Sequence, residues 1–288
     1  MSYYITIDIG GTFIKYGLLN EAEQIVHANK TRTPINQDQA IVKKVSKIVE
    51  DFFEKFAIKG IGISTAGIVN RSKGEIIYAG PTILDYKGTN FKDALRKFQV
   101  PVSVANDVDC ALLGEMWRAN IPPYEATYCL TLGTGIGGAF FHGSLQSGSH
   151  LQGNSIGYLL YDPYTKTNYE MRAATTALNR EITNGFGPGL STIAFFERAK
   201  AGERKAVTIL NNWAKEVAAG IAQIILLIDP KRIIIGGGIS AQGDFLLQYI
   251  RQHVEDFLPE NLLQTELVIA KEQNNASLYG AVYPFFKK

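Results

Sequence analysis

One local pattern occurs twice, and it limits what this chain can fold into more than any other feature. From Tyr3 to Leu19, apolar Ile5, Ile7 and Ile9 alternate with Thr6 and Asp8, break at Gly10-Gly11, and resume as a second apolar run. About 120 residues on, Thr127 to Leu132 leads into Gly133-Thr-Gly-Ile-Gly-Gly138 and then Ala139-Phe-Phe141. Alternation of period two on both sides of a glycine turn predicts a β-hairpin, with Gly10-Gly11 expected to supply positive φ. The recurrence predicts an internal duplication, one of topology, because the residues themselves barely match.

Between and after the hairpins the pattern alternates between helix and strand. Ile41, Val45, Ile48, Val49, Phe52 and Phe56 recur every three or four residues and predict a helix over 38–56. Strands are expected at Ile58–Ser64 and Val100–Val104, and a helix from Asn106 to about Ala119. Ile121-Pro-Pro-Tyr124 breaks the pattern and is the expected boundary between lobes. Residues 143–167 are polar and glycine-rich and read as a long, functional loop. A helix over 208–228 is stopped by Asp229-Pro230. A buried strand, Arg232–Ile235, a turn at Gly236–Gly238, a helix from Ser240, a strand at Glu266–Ala270 and a tail helix from Ala276 complete an α/β chain.

Composition narrows the function. The 288 residues carry 29 Lys and Arg against 27 Asp and Glu, a net charge of +2, which gives no footprint for nucleic acid or an anionic membrane. The longest apolar run, Ile221 to Ile228, contains Gln223 and is too short to span a bilayer. Two cysteines, Cys110 and Cys129, offer neither a disulfide framework nor a cysteine-rich metal site. The first residues lack a secretory pattern, so the expectation is a cytoplasmic protein.

Three glycine turns follow apolar strands: Gly10-Gly11, Gly133 to Gly138, and Gly236 to Gly238. Each alone is what an ordinary turn needs. Together they point to backbone amides brought close to phosphates. Gly133 to Gly138 fits G-x-G-x-x-G but runs into aromatic Ala139-Phe-Phe, a strand and not the helix a dinucleotide site requires. Gly236-Gly-Gly-Ile-Ser-Ala241 fits the G-x-G-x-x-A form, yet the following strand ends in Lys271 where a ribose-binding acid belongs. No P-loop motif occurs. Asp8, beside the first turn, suits Mg²⁺ held directly or through water, with Thr12 and Lys15 facing phosphate oxygens; a turn acid and a solvated lysine are the plainer reading. Asn106 is a good helix cap. Asp107 falls in the first turn, where the dipole is expected to keep it ionised and able to accept a hydroxyl proton. A simple capping pair is again the alternative.

The blocks Asp8 to Lys15, Ser64 to Asn70, Asn106 to Glu115, Leu132 to Gly138 and Leu227 to Ser240 stand in the order found in the ROK family of bacterial sugar kinases, and the chain resembles that family from about residue 3 to 282. The resemblance implies an actin/hexokinase-like fold, two ribonuclease-H-like lobes with a cleft between them. The N-terminal lobe would be residues 1–119 plus a C-terminal helix at about 274–288, and the C-terminal lobe 120–273. It implies ATP and Mg²⁺, a small sugar as substrate, no nucleic-acid or membrane partner, and allows a homodimer. By position, Asp107 would be the general base on a sugar hydroxyl, usually the 6-OH. Asn106 and Gly67 would touch the sugar, and Asp8 would lie near Mg²⁺. Gly10, Gly11, Thr12, Lys15, Gly133, Thr134 and Gly135 would face the phosphates, and Gly237 and Gly238 the adenosine.

The chain departs from the family pattern at one place. Where such kinases have Gly-Glu-x-Gly-His, it has Asn154-Ser-Ile-Gly-Tyr158, so Ser155 and Tyr158 replace the Glu and His that face the C1–C2 end of the sugar. The cysteine-rich zinc motif is missing from 162–169, and no zinc site is expected. Glu170 holds the place of the glutamate closing that motif and is expected at the sugar. Tyr158 could offer an apolar face to a second ring, favouring a β-glucoside; a free hexose is the other reading. A catalytically silent sugar sensor and an NAD-dependent oxidoreductase are the alternatives from other classes. With only seven residues ahead of Asp8, a helix-turn-helix repressor is not expected.

Overall fold

The computed structural model describes residues 2–80 and 83–287. The chain divides into two compact units, Met1–Ile121 with Gly148–Gln152 and Asn274–Lys288, and Pro122–Ser147 with Gly153–Gln273.

In the first unit the strands are β1 (Ser2–Ile9), β2 (Phe13–Asn20), β3 (Ile25–Arg32), β4 (Ala57–Thr65) and, after a small hairpin of β5 (Ile68–Asn70) and β6 (Glu75–Tyr78), β7 (Val102–Asn106). The sheet order is β3-β2-β1-β4-β7, antiparallel from β1 to β3 and parallel from β1 to β7. Its helices are α1 (Ala40–Phe53), α2 (Phe91–Ala94), α3 (Asp107–Arg118) and the last helix of the chain, Ala276–Phe286. Ile5, Ile7 and Ile9 are fully buried in one cluster with Ile41, Val45 and Val49 of α1. The opposite face of β1 meets the last helix, where Thr6 donates to the Leu278 carbonyl at 2.6 Å. Asp8 shares that second face with Thr6, because side chains alternate along a strand. The last helix crosses α3 backbone to backbone: a Cβ on Gly280 would overlap the Cys110 carbonyl, and one on Gly114 the Ala276 carbonyl.

The second unit repeats the plan. Its strands are β8 (Thr127–Leu132), β9 (Ile136–His142), β10 (Ser144–Leu145), β11 (Arg232–Gly236) and β12 (Glu266–Ile269), in the order β10-β9-β8-β11-β12. Its helices are α4 (Tyr169–Ala173), α5 (Thr175–Phe186), α6 (Thr192–Lys200), α7 (Arg204–Ile228) and α8 (Asp244–Phe257); the last helix is thus α9. β8 and β9 are antiparallel, β8, β11 and β12 parallel. Strand order and sense match the first unit, so the duplication expected from the hairpins is real at the level of topology.

Several local expectations shift. The helix expected over 38–56 is α1, two residues shorter at the start and three at the end, with left-handed Asp38 and Gln39 in the preceding turn. The helix expected from Ser240 begins at Asp244. A 3-10 turn, Gly238–Gln242, and Gly243 at φ +60° come first. Gly10 and Gly11 do not have positive φ. Ile9 pairs with Ile14, leaving a four-residue loop closed by Gly10 N–H donating to the Phe13 carbonyl at 3.0 Å, and loops of that length do not need the left-handed region. The expected elements did not include helices α5 and α6.

Candidate active site

Strand register sets the surroundings of Asp8. On β2 it faces Lys15 and on β4 it faces Ser64. Ser64 Oγ donates to Asp8 Oδ1 at 2.7 Å, and Lys15 Nζ lies 3.7 Å from Oδ2. Lys15 also donates to Asn274 Oδ1 at 3.3 Å. Burial raises the Asp8 pKa, and the Ser64 hydrogen bond and Lys15 charge offset only part of that rise.

Asp107 opens α3. Asn106 caps the helix, its Oδ1 accepting from Val108 N at 2.8 Å and Asp109 N at 3.4 Å, while its Nδ2 donates to the Gly67 carbonyl at 2.8 Å. Gly67 sits at φ +98°, and a Cβ there would lie 2.5 Å from the Tyr78 carbonyl, so the position needs glycine. The expectation that the dipole keeps Asp107 ionised is corrected: burial first, then the Asp8 charge, outweigh the Val108 N–H and push its pKa to about 7. The dipole acts with about half a charge and is spent within a turn, whereas desolvation acts on the whole carboxylate. Asp109 is pushed to about 6 by burial, against the lowering charge of Arg71. Behind them, Tyr86 Oη and Thr65 Oγ1 share a buried hydrogen bond of 2.7 Å.

The first glycine turn turns its carbonyls away. Thr33 Oγ1 donates to the Gly10 carbonyl at 2.6 Å and Thr33 N to the Thr12 carbonyl at 3.0 Å. The Gly11 and Thr12 amides carry no hydrogen bond among the described residues. The second unit repeats this. Gly133 N bonds the Gly135 carbonyl at 2.9 Å, Thr175 N the Gly133 carbonyl at 2.9 Å, and Thr176 Oγ1 the Thr134 carbonyl at 3.0 Å. That leaves the Thr134 and Gly135 amides with no bond among the described residues. Two successive free N–H groups with pinned carbonyls suit an anion.

A cavity of about 280 Å³ adjoins the second turn, lined by Gly133, Thr134, Asn179, Ile193, Phe196, Gly238 and Gln242 among others. Gln242 Oε1 is buried beside it without a hydrogen-bond partner among the described residues. Gly237 is at φ +91°, and its Cβ would overlap the Leu132 carbonyl; Gly238 meets open space. Thr175, Thr176, Asn179 and Gln242 escaped the sequence reading, since no short motif marks them; Ser64 sat unnoticed inside a block already singled out.

Ser155 precedes a 3-10 turn, Ile156–Tyr158, whose last residue, Tyr158, is 64% exposed. Glu170, expected at the sugar, has Oε2 accepting from Ile136 N at 2.8 Å. In place of a zinc motif, Asp162 accepts from Tyr164 N at 2.9 Å and Thr165 Oγ1 at 2.7 Å, and Arg172 donates to Thr167 Oγ1 and the Leu160 carbonyl, both at 2.8 Å. Among the described residues no three His, Cys, Asp or Glu side chains cluster as metal ligands, and no helix is long and apolar enough to cross a membrane.

The ROK family model matches residues 4–287, and the chain belongs to that family. Its fold is the actin/hexokinase-like fold of ROK sugar kinases. An uncharacterized protein of Clostridium perfringens is 33% identical over 292 residues, 99% of this chain and 98% of the relative. A beta-glucoside kinase of Listeria monocytogenes is 29% identical over 291 residues, 98% of this chain and 96% of the relative. Among solved structures, a ROK family protein from Streptococcus pneumoniae in complex with sucrose superposes with a TM-score of 0.86 at 28% identity, covering 99% of this chain and 98% of that one. A ROK family glucokinase from Streptomyces griseus in complex with glucose and AMPPNP gives 0.82 at 27% identity, covering 97% of each.

Proposed function

We propose that this chain transfers the γ-phosphoryl of ATP to a primary hydroxyl of a β-glucoside or hexose. It is a sugar kinase of the ROK family, a phosphotransferase with an alcohol acceptor. The observation that carries the mechanism is Asp107, a part-buried carboxylate at the start of α3 whose pKa of about 7 suits a base working at neutral pH. Asp107 accepts the proton of the sugar hydroxyl, which attacks phosphorus in line as the bond to the ADP oxygen breaks.

The residues fit ATP and Mg²⁺. The cavity beside Gly238 has room for a nucleoside, and the free amides of Gly11 with Thr12 and of Thr134 with Gly135 suit phosphate oxygens. Asp8 and Asp107 repel one another, and among the described residues only Lys15 lies close to Asp8, a surplus of negative charge that a dication relieves. Mg²⁺, held by Asp8 directly or through water, would neutralise phosphate charge. Asn106 spends its amide on α3 and Gly67, so its part is to fix Asp107 while offering one remaining N–H to the sugar. Exposed Tyr158 supports the β-glucoside reading, as does the named activity of the Listeria relative; the sucrose in the Streptococcus neighbour is an α-glucoside and supports a glycoside without fixing the anomer.

The test is a coupled assay with ATP and Mg²⁺ across glucose, N-acetylmannosamine, fructose, cellobiose and an aryl β-glucoside. The glycosides should give the highest kcat/KM, and a strong preference for free glucose would remove the glycoside assignment. Asp107→Asn should lower kcat by about 10²–10⁴-fold with sugar affinity nearly kept. Near-parental turnover would take the base role from Asp107.

A further inference from the structure

The cavity beside the second glycine turn, about 280 Å³, is lined by two side-chain amides, Asn179 and Gln242, with unmet hydrogen-bonding atoms. Gln242 ends the Gly238–Gln242 turn, whose backbone is pinned where Ser240 Oγ donates to the Gly237 carbonyl at 2.7 Å and Gly243 N to the Ser240 carbonyl at 2.9 Å. Its Oε1 is buried and has no donor among the described residues. Asn179 of α5 is held in the opposite sense, with Thr192 Oγ1 donating to its Oδ1 at 2.7 Å. That bond orients the carboxamide and leaves Nδ2, which makes no bond among the described residues, free to donate. Ile193, Phe196 and Ile239 supply apolar wall, and Ile193 is 72% exposed. A flat, mostly apolar ring suits such a lining.

A buried acceptor without a donor is costly, and a ligand N–H in that place removes the cost. One unmet acceptor, one free donor and apolar walls match a purine with an amino group at C6. There the 6-amino group donates and the ring nitrogen beside it accepts. A 6-oxo purine reverses both, with an acceptor at O6 and a proton on N1.

We propose that Gln242 and Asn179 select adenine over 6-oxo purines. Gln242 Oε1 accepts from the 6-amino group, Asn179 Nδ2 donates to a ring nitrogen, and Thr192 is the positioning residue that keeps Asn179 a donor. This rests on the ATP-dependent kinase reading and names the base that its nucleotide carries.

ADP and IDP differ only at this edge of the base and serve as the probes. The Kd of each is measured by calorimetry without sugar on the parent, Gln242→Ala and Asn179→Asp, with circular dichroism confirming folding. The parent should bind ADP at least about tenfold tighter than IDP. Gln242→Ala should raise the ADP Kd by about 5–30-fold and leave the IDP Kd within about twofold. Asn179→Asp puts an acceptor where the donor stood, and the preference for ADP should shrink or invert. A residue that merely supports the turn would weaken both nucleotides alike. A parent that binds the two equally overturns the proposal, and so does an unchanged preference in Gln242→Ala. If that variant misfolds, an unchanged preference in Asn179→Asp decides against it. If the parent binds neither nucleotide, the kinase reading fails and takes this assignment with it, a result distinct from a parent that binds both alike.

Discussion

Asp107 shows how a single side chain ties stability to activity. Its pKa in the folded chain, about 7, lies above the ordinary 3.8, so between these values the folded state holds a proton that the unfolded state has released. Stability therefore falls as pH rises from about 4 to 7, and above 7 the full cost of a buried carboxylate is present. Asp107→Asn removes that cost. Its Tm should exceed the parent's at pH 8 and converge with it near pH 4; equal melting at both would show that Asp107 ionises freely. In the proposed mechanism the same ionisation makes the base. The kcat/KM should rise with pH through about 7 and level off above it, and a flat profile from pH 6 to 8 would contradict the assigned pKa. Ser64 acts oppositely on Asp8, donating at 2.7 Å and favouring its charged form.

At the scale of elements, the crossing of α3 with α9 brings Asp107 and the sheet into register. Gly114 and Gly280 let the two backbones touch, and Trp117 packs edge-on against Tyr279 at 6.0 Å. A methyl group on Gly280 has only the rigid Cys110 carbonyl to displace. Gly280→Ala should cost about 1–3 kcal/mol in chemical denaturation, despite alanine's better helix propensity. A stabilised variant would mean that the helices stand further apart. In the second unit, Arg172 does comparable work for the loop that precedes α4, bonding Thr167, the Leu160 carbonyl and Glu216. Arg172→Ala should expose 159–168 to limited proteolysis well below the global Tm, since an unpinned loop opens locally. Unchanged cleavage kinetics would show that the loop is held by other means.

For the molecule as a whole, two cores of one design are built from one chain, each with a hairpin, a glycine turn and two parallel strands. The second carries no metal-binding cluster among its described residues, and hydrogen bonds to Asp162 and from Arg172 occupy the loop where the family's zinc motif would fall. EDTA should thus leave Tm unchanged while abolishing turnover, and Mg²⁺ alone should restore it. A drop in Tm on chelation, with zinc released, would show a structural metal, because such ions contribute directly to folding.

Much of this was legible along the chain. Period two around Gly10-Gly11 and Gly133 to Gly138 predicted both hairpins and the duplication, because alternation and turn glycines are properties of consecutive residues. Asp8 and Asp107 stood out because each sits next to a strand end. Tertiary packing alone decided their chemistry: desolvation and the approach of Asp8 raised Asp107, reversing what its place in the helix suggested. Packing also brought Glu170 to Ile136, 34 residues away, and placed Thr175, Thr176 and Gln242 at the cavity beside the second glycine turn. A carboxylate's pKa and partners depend on what surrounds it in space, and local sequence carries the backbone's preferences without the distance to the next charge.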